Sequence, residues 1–320
     1  MKALVTGATG FIGSFLAEAL ARRGHEVTCL VRKTSSLRWI EHLNLKYLYG
    51  DIGNSREYAD ELGKFEYIFH LAGLTKAYDE KDFFYANAEC TKALATAAER
   101  SARQLKRFLL VSSLAAAGPS LDGSPLTEES GPHPVSAYGR SKLDGEKAVL
   151  SFRGSMPVTI VRPPVVYGPR DTDMFLVFRA VRGGIFPYWG RCTYSLIYVH
   201  DLVRGLIRAA EKEDAAGKMY YLADKKIYTN DEVLAAMNAA LGRRAFRLRL
   251  PRSALPLLGA FIQKIRKKGI INADKIREIR YADWTCDPGR AERELGFSAE
   301  TPLEEGFIKT ADWYRKEKWL

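Results

Sequence analysis

The chain has little cysteine, little histidine and no long apolar run. Its four cysteines, Cys29, Cys90, Cys192 and Cys286, are scattered, with no CxxC pair and no metal-ligand spacing. Scattered thiols point to a reduced, intracellular setting rather than a disulfide framework. The five histidines include no HExxH-type spacing, so no metal site is expected. No apolar stretch approaches the roughly 20 residues of a membrane span. The start, Met-Lys-Ala-Leu-Val-Thr-Gly, goes straight into strand-like residues without a signal-peptide design. The expected compartment is the cytoplasm.

What is present is ordinary for a globular chain. With 320 residues, 47% hydrophobic and 27% charged, it is long enough for a large sheet domain and a smaller lobe. A formal net charge of +11 is compatible with nucleic acid, an anionic membrane face or phosphorylated ligands. No nucleic-acid module is recognisable, so nucleic acid is not an expected partner.

Short β-branched runs alternate with helical stretches in the first half, which is the βαβ pattern of a parallel sheet. Strands are expected near 2–6, 26–31, 45–49, 66–70, 106–112 and 157–162. Helices are expected over 11–23, 83–101 and 136–150. After Arg162 the pattern becomes loop-rich, with Pro163, Pro164, Gly168, Pro169, Gly183, Gly184, Pro187 and Gly190. The reading is a Rossmann-type, doubly wound α/β domain over 1–162 and a C-terminal substrate-binding lobe over 163–320. Segments near 190–215 are expected to return to the sheet domain.

Gly7, Gly10 and Gly13 are spaced Gly-x-x-Gly-x-x-Gly between the first strand and the first helix. Gly7 allows a sharp turn, Gly10 lets backbone amides approach a pyrophosphate, and Gly13 lets the helix pack close to the sheet. The helix N-terminus then favours phosphate. The loop TGATGFIG resembles that of the extended short-chain dehydrogenase/reductase family, which includes nucleotide-sugar epimerases and dehydratases. Later motifs fall in that family's order. The resemblance implies cofactor contacts at Gly7, Gly10, Phe11, Ile12 and Gly13, at Asp51 and Ile52 after strand three, and at Leu71, Ala72 and Gly73 after strand four. Asn87 resembles the Asn of an Asn-x-x-Gly-Thr helix start. Cys90 stands where the family has Gly, which reads as a packing change.

The second strand ends Leu30-Val31-Arg32-Lys33. NAD enzymes of this shape end that strand with an acid for the ribose hydroxyls. A guanidinium instead would pair with a 2′-phosphate. Arg32 therefore favours NADP over NAD.

Tyr138 and Lys142 stand four apart and share one helix face. A free phenol near pKa 10 is a poor proton exchanger at neutral pH. A neighbouring ammonium and a positive nicotinamide ring favour the phenolate. Lys142 can also hold the nicotinamide ribose. By resemblance, Ser113 at the end of strand five orients the substrate oxygen while Tyr138 exchanges its proton. Leu114-Ala115 replace the Asp-Glu pair that the family's 4,6-dehydratases carry after this position, so no general acid for expelling a hydroxyl is evident.

Val161-Arg162-Pro163-Pro164-Val165-Val166-Tyr167-Gly168-Pro169-Arg170 resembles the family's strand-six exit. It implies cofactor contacts at Pro163 and Val165, and substrate contacts at Pro164 and Arg170; Thr75 and Ser113 are further candidate substrate contacts. The Arg-Pro-Pro form also resembles dihydroflavonol reductase and 3β-hydroxysteroid dehydrogenase relatives. The substrate is thus a sugar nucleotide, a steroid-like molecule or another apolar ketone. In the basic stretch 243–280, Leu255, Leu258, Phe261, Ile262 and Ile265 recur at helical spacing. It reads as a lobe helix with a solvated basic face, as a peripheral membrane contact through 253–268, or as a clamp for a diphosphate. The resemblance implies a homodimer through the helices near 83–101 and 136–150. The reading is an NAD(P)-dependent oxidoreductase acting at a secondary alcohol or ketone. A nucleotide-sugar epimerase with tightly bound NAD is the alternative, and a non-catalytic dinucleotide sensor the third.

Overall fold

Buried strands supply the centre of the computed structural model, which describes residues 1–251 and 273–320. The segment 253–268 lies outside the described residues. Strands β1 (Lys2–Thr6), β2 (Glu26–Val31), β3 (Lys46–Tyr49), β4 (Tyr67–His70), β5 (Arg107–Val111) and β6 (Val158–Arg162) fall on the expected runs. β5 and β6 are buried along their whole length, as parallel strands covered on both faces must be. With β10 (Lys218–Tyr221) at one edge, the seven-stranded sheet is parallel throughout, in the order β10-β6-β5-β4-β1-β2-β3. Its order reverses between β1 and β4, which opens a crevice at the carboxyl ends of the strands.

Side chains alternate between two cores because the strand period is two. Val5, Phe69, Leu109 and Val161 face one side, and Leu4, Ile68, Phe108 and Ile160 face the other. Each fully buried Leu, Ile, Val or Phe contributes about 1.5–3 kcal/mol. Helix α1 (Phe11–Arg22) covers the first side with Leu16 and Leu20. The second side is covered by Leu94 and Ala98 on α3 (Cys90–Ser101) and Val149 on α4 (Ala137–Leu150).

The expected helix over 83–101 is interrupted. A short α2 (Glu80–Phe84) runs into a π-turn, Tyr85–Glu89, before α3 begins. Such turns widen a helix by one residue. Here the turn contains Asn87, whose amide bonds both the N–H and the carbonyl of Leu74.

The sheet also gains a strand from the second half. After α5 (Thr172–Arg182), α6 (Val199–Glu211) packs on α1, and β10 (Lys218–Tyr221) pairs with β6. The return to the sheet domain therefore extends to Tyr221. β10 covers the hydrogen-bonding edge that β6 would otherwise expose. The lobe holds a four-stranded sheet of β7 (Val165–Tyr167), β9 (Thr193–Tyr198), β11 (Ile227–Thr229) and β13 (Asp283–Trp284). A two-stranded ribbon joins β8 (Ile185–Tyr188) to β12 (Phe246–Arg249). Helices α7 (Asn230–Leu241), α8 (Ala273–Ile279) and α9 (Leu303–Lys316) complete it. Among the described residues, no helix is long and apolar enough to cross a membrane.

Candidate active site

The glycine turn is built by close approach. Gly7 has φ of 72°, in the left-handed region that favours glycine. A Cβ there would lie 2.7 Å from the Ala72 nitrogen, and one on Gly13 would lie 2.1 Å from the Gly7 carbonyl oxygen. These distances bring Leu71 and Ala72 against the turn. The Thr6 hydroxyl secures the contact by accepting from the Ala72 N–H at 3.2 Å. Gly10 is the N-cap of α1 and no side chain caps it. Phe11, Ile12 and Gly13 form the first turn, and its amides are the groups a pyrophosphate would take. The turn thus fits a dinucleotide.

Arg32 follows β2 directly and is exposed. Asp51 and Ile52 follow β3, whose register places Tyr49 beside Val31. The ends of β2 and β3 therefore share one edge of the sheet. Asp51 accepts from the Gly53 N–H at 2.8 Å, and the Ile52 carbonyl accepts from the Tyr58 hydroxyl at 2.6 Å. Gly73 packs against Asn87, whose Oδ1 would lie 2.5 Å from a Cβ.

Ser113, Tyr138 and Lys142 come together at the end of β5. The Ser113 hydroxyl accepts from the Ala115 N–H at 3.1 Å and lies close enough to the Tyr138 phenol to lower its pKa. The Lys142 ammonium donates to the Val111 carbonyl at 2.8 Å. Asn87 ties the cluster to the β4 exit by donating to the Ser141 hydroxyl at 2.9 Å. Burial pushes the phenol up to about 12, while the nearby Ser113 hydroxyl pulls the other way and Glu278 adds to the rise. Burial lowers Lys142 to about 8, and the neighbouring Glu146 carboxylate offsets part of that. Below the cluster, buried His70 bridges the Thr6 and Thr91 hydroxyls at 2.7 and 2.9 Å. Burial and the nearby Lys142 charge lower it to about 3, so it is neutral.

The substrate side divides. Pro163 is buried, and its carbonyl accepts from the Leu114 N–H at 2.9 Å. Val165 is exposed just beyond Pro164, as are Leu74 and Thr75 beyond β4. Arg170 is not brought to this cluster. Its guanidinium pairs with Glu18 at 2.9 Å, donates to Ser14 at 3.1 Å, and lies over the Phe15 ring. Several cations of the basic stretch are also engaged: Arg247 pairs with Asp231, and Arg277 pairs with Glu80. His200 packs its ring on Phe15 and Tyr198. Among the described residues, no group of His, Cys, Asp and Glu is arranged to hold a metal.

The structure adds residues that sequence reasoning missed. Glu146 and Arg162 form a buried bidentate pair, at 2.8 and 2.6 Å, beneath Lys142. Asp274 and Glu278, on α8, reach the first turn of α4. Glu146 lies one turn beyond Lys142 and could have been found from that spacing. Nothing local marks Asp274 or Glu278 among the chain's other acids.

A family model described as NAD dependent epimerase/dehydratase family matches residues 3–223. A protein named ceramide reductase, from Caulobacter vibrioides (strain NA1000 / CB15N), is 33% identical, covering 99% of this chain and 95% of its own. A 4-hydroxy-2-methyl-3-oxo-4-farnesyl-3,4-dihydroquinoline-1-oxide ketoreductase from Stigmatella aurantiaca is 28% identical over 93% of this chain and 95% of its own. The solved structure of MoeE5 in complex with UDP-glucose and NAD matches with a TM-score of 0.79 at 26% identity, covering 99% of this chain and 100% of its own.

Proposed function

The chain belongs to the NAD-dependent epimerase/dehydratase family, and within it we propose a reductase that converts a ketone on a lipid-like molecule to a secondary alcohol. As a member it is an NAD(P)-dependent oxidoreductase or epimerase that uses a nicotinamide dinucleotide on a small-molecule substrate. The reading rests on the meeting of Ser113, Tyr138 and Lys142 at the end of β5, where the Tyr138 phenol, like any phenol, carries its proton at neutral pH and can donate it. When bound, the dinucleotide supplies the hydride. Ser113 and Tyr138 donate hydrogen bonds to the carbonyl oxygen, and Tyr138 then gives its proton to that oxygen. The Lys142 ammonium favours the phenolate left behind. Leu114 and Ala115 are buried and offer no acid for expelling a hydroxyl, so dehydration is not part of this reading.

Two features support an apolar substrate. Val165 and Leu74 present exposed apolar side chains at the strand exits, and Pro163-Pro164 offer no amide side chain to a sugar diphosphate. The ceramide reductase and the farnesyl-quinoline ketoreductase are relatives whose names carry long apolar groups. The test is a panel of an N-acylated 3-keto sphingoid lipid, a 3-ketosteroid and UDP-glucose, followed by consumption of NADPH and by product analysis. One of the two ketones should be reduced, and Tyr138→Phe should lower its turnover by about 10²–10⁴-fold while cofactor binding persists. Epimerisation of UDP-glucose at a higher kcat/KM than either reduction would overturn the reading.

That second outcome is the reading favoured by the match to MoeE5, whose structure contains UDP-glucose and NAD. It requires tightly held NAD that survives purification. For the reductase, NADP is the proposed cofactor, supported by Arg32 at the end of β2. Arg32→Ala should weaken NADPH binding about tenfold or more and leave NADH unchanged. Equal affinities for both cofactors in both proteins would remove the NADP preference.

A further inference from the structure

An α-helix leaves its first N–H groups without intrahelical partners. In α4 these groups are met from two directions. Ser136, the N-cap, accepts from the Gly139 N–H at 2.9 Å. Asp274, on α8 of the C-terminal half, takes two more. Its Oδ1 accepts from the Ala137 N–H at 2.6 Å, and its Oδ2 accepts from the Tyr138 N–H at 3.0 Å. Asp274 and Glu278 are each 8% exposed. Glu278 accepts from the Ser136 hydroxyl at 2.8 Å, so the second carboxylate holds the N-cap itself.

The partners around this joint are all charged. Arg277 bridges Asp274, at 3.4 Å, to Glu80 on α2, at 2.7 Å. Glu80 in turn pairs with Arg140, at 3.3 Å. Lys275 pairs with Glu278 at 2.8 Å. A carboxylate at a helix N-terminus opposes the positive end of the dipole, and hydrogen bonds to it are stronger than neutral ones.

The joint bears on the phenol because the helix start has no slack. A Cβ on Gly139 would lie 2.3 Å from the Ala115 carbonyl oxygen, so this turn is pressed onto the loop that follows Ser113. Tyr138 belongs to the same turn. A shift of its backbone is therefore a shift of the phenol relative to Ser113.

We propose that Asp274, with Glu278 acting through Ser136, is a positioning residue: it fixes the first turn of α4 and thereby sets the Tyr138 phenol against Ser113. The lobe is in this way connected to the acid–base group without a substrate between them. The proposal rests on the reading of Tyr138 as the proton donor, and its test separates the two.

The test uses full-length Asp274→Ala and Asp274→Asn in the apo and NADPH-loaded states. Hydrogen exchange is read at the Ala137 and Tyr138 amides. The Tyr138 ring carbon is read by NMR in protein carrying labelled tyrosine, with the signal assigned from Tyr138→Phe. Turnover is read on whichever probe of the substrate panel the wild type converts. Removing the carboxylate should speed exchange at the two amides about tenfold or more and move the Tyr138 signal. Misplacing the phenol should lower kcat by about 10²-fold with KM changed by less than about twofold. Asn keeps one acceptor oxygen and should fall between Asp and Ala, which supplies a graded readout if Asp274→Ala does not fold. Wild-type amide exchange and an unmoved Tyr138 signal in Asp274→Asn would overturn the proposal. So would faster exchange spread evenly over the whole chain. Full turnover in Tyr138→Phe would instead remove the acid–base reading, and the amide and ring signals would still decide whether Asp274 sets the position.

Discussion

The first turns of α1 and α4 are both helix N-termini at the carboxyl edge of one sheet, but they are finished in opposite ways. α1 begins on Gly10, with no side-chain cap and no acid in its first turn. α4 also has no acid of its own there, yet Ser136 and Asp274 occupy its free amides. The bare end is suited to an anionic ligand, since it offers open N–H groups and a positive dipole. The filled end is a platform, since its donors are already used and the chain at Tyr138 is held in place. One geometry thus serves two purposes according to whether protein or ligand completes it.

Three changes would break or sharpen this contrast. The largest effect is expected below the platform. Glu146→Ala would leave the buried Arg162 guanidinium beside the Tyr221 hydroxyl without its carboxylate partner. Breaking such a pair from one side costs about 3–5 kcal/mol, which a denaturant titration reads directly. A loss below about 1 kcal/mol would mean that α4 does not depend on this distant partner.

Gly13→Ala probes the bare end. Its Cβ would meet the Gly7 carbonyl, at a cost of about 1–3 kcal/mol and a loss of cofactor affinity seen by fluorescence titration. The Tyr138 ring signal should stay where it is. Wild-type affinity would show that close packing of this turn does not shape the phosphate site.

The smallest effect concerns His70, which joins Thr6, just before the glycine turn, to Thr91 on α3. Its folded value, lowered to about 3, lies below the ordinary value near 6.5. Between those limits the unfolded chain binds more protons, so stability falls as pH falls from about 6.5 toward 3. The slope is at most about 1.4 kcal/mol per pH unit. His70→Gln should flatten that part of a melting-temperature profile. An unchanged profile would place the acid sensitivity elsewhere.

Much of the fold was legible because it follows from periodicity. The runs that became β1, β2 and β4 differ from expectation by at most one residue at an end. The break in the 83–101 helix was not legible, because the pattern of apolar residues continues through it. The turn there depends on Asn87 reaching Leu74, which β4 and its exit bring close. The seventh strand, Lys218–Tyr221, was missed because four residues of ordinary composition become a strand only beside the open edge of β6. Arg170 reads as a substrate contact from its place after Gly168-Pro169, and in the fold its guanidinium pairs with Glu18.

The sequence by itself determined the parts whose geometry is local. Three glycines at a fixed spacing make a bare helix start, and a tyrosine and lysine four apart share a face, because turn sterics and helix pitch act over a few residues. Only the tertiary structure decided which distant groups complete those parts. Asp274 is one carboxylate among many in the chain, and no local rule singles it out. It meets the Tyr138 amide because the lobe folds back over the sheet, and a hydrogen bond of 3.0 Å depends on that path rather than on neighbouring residues.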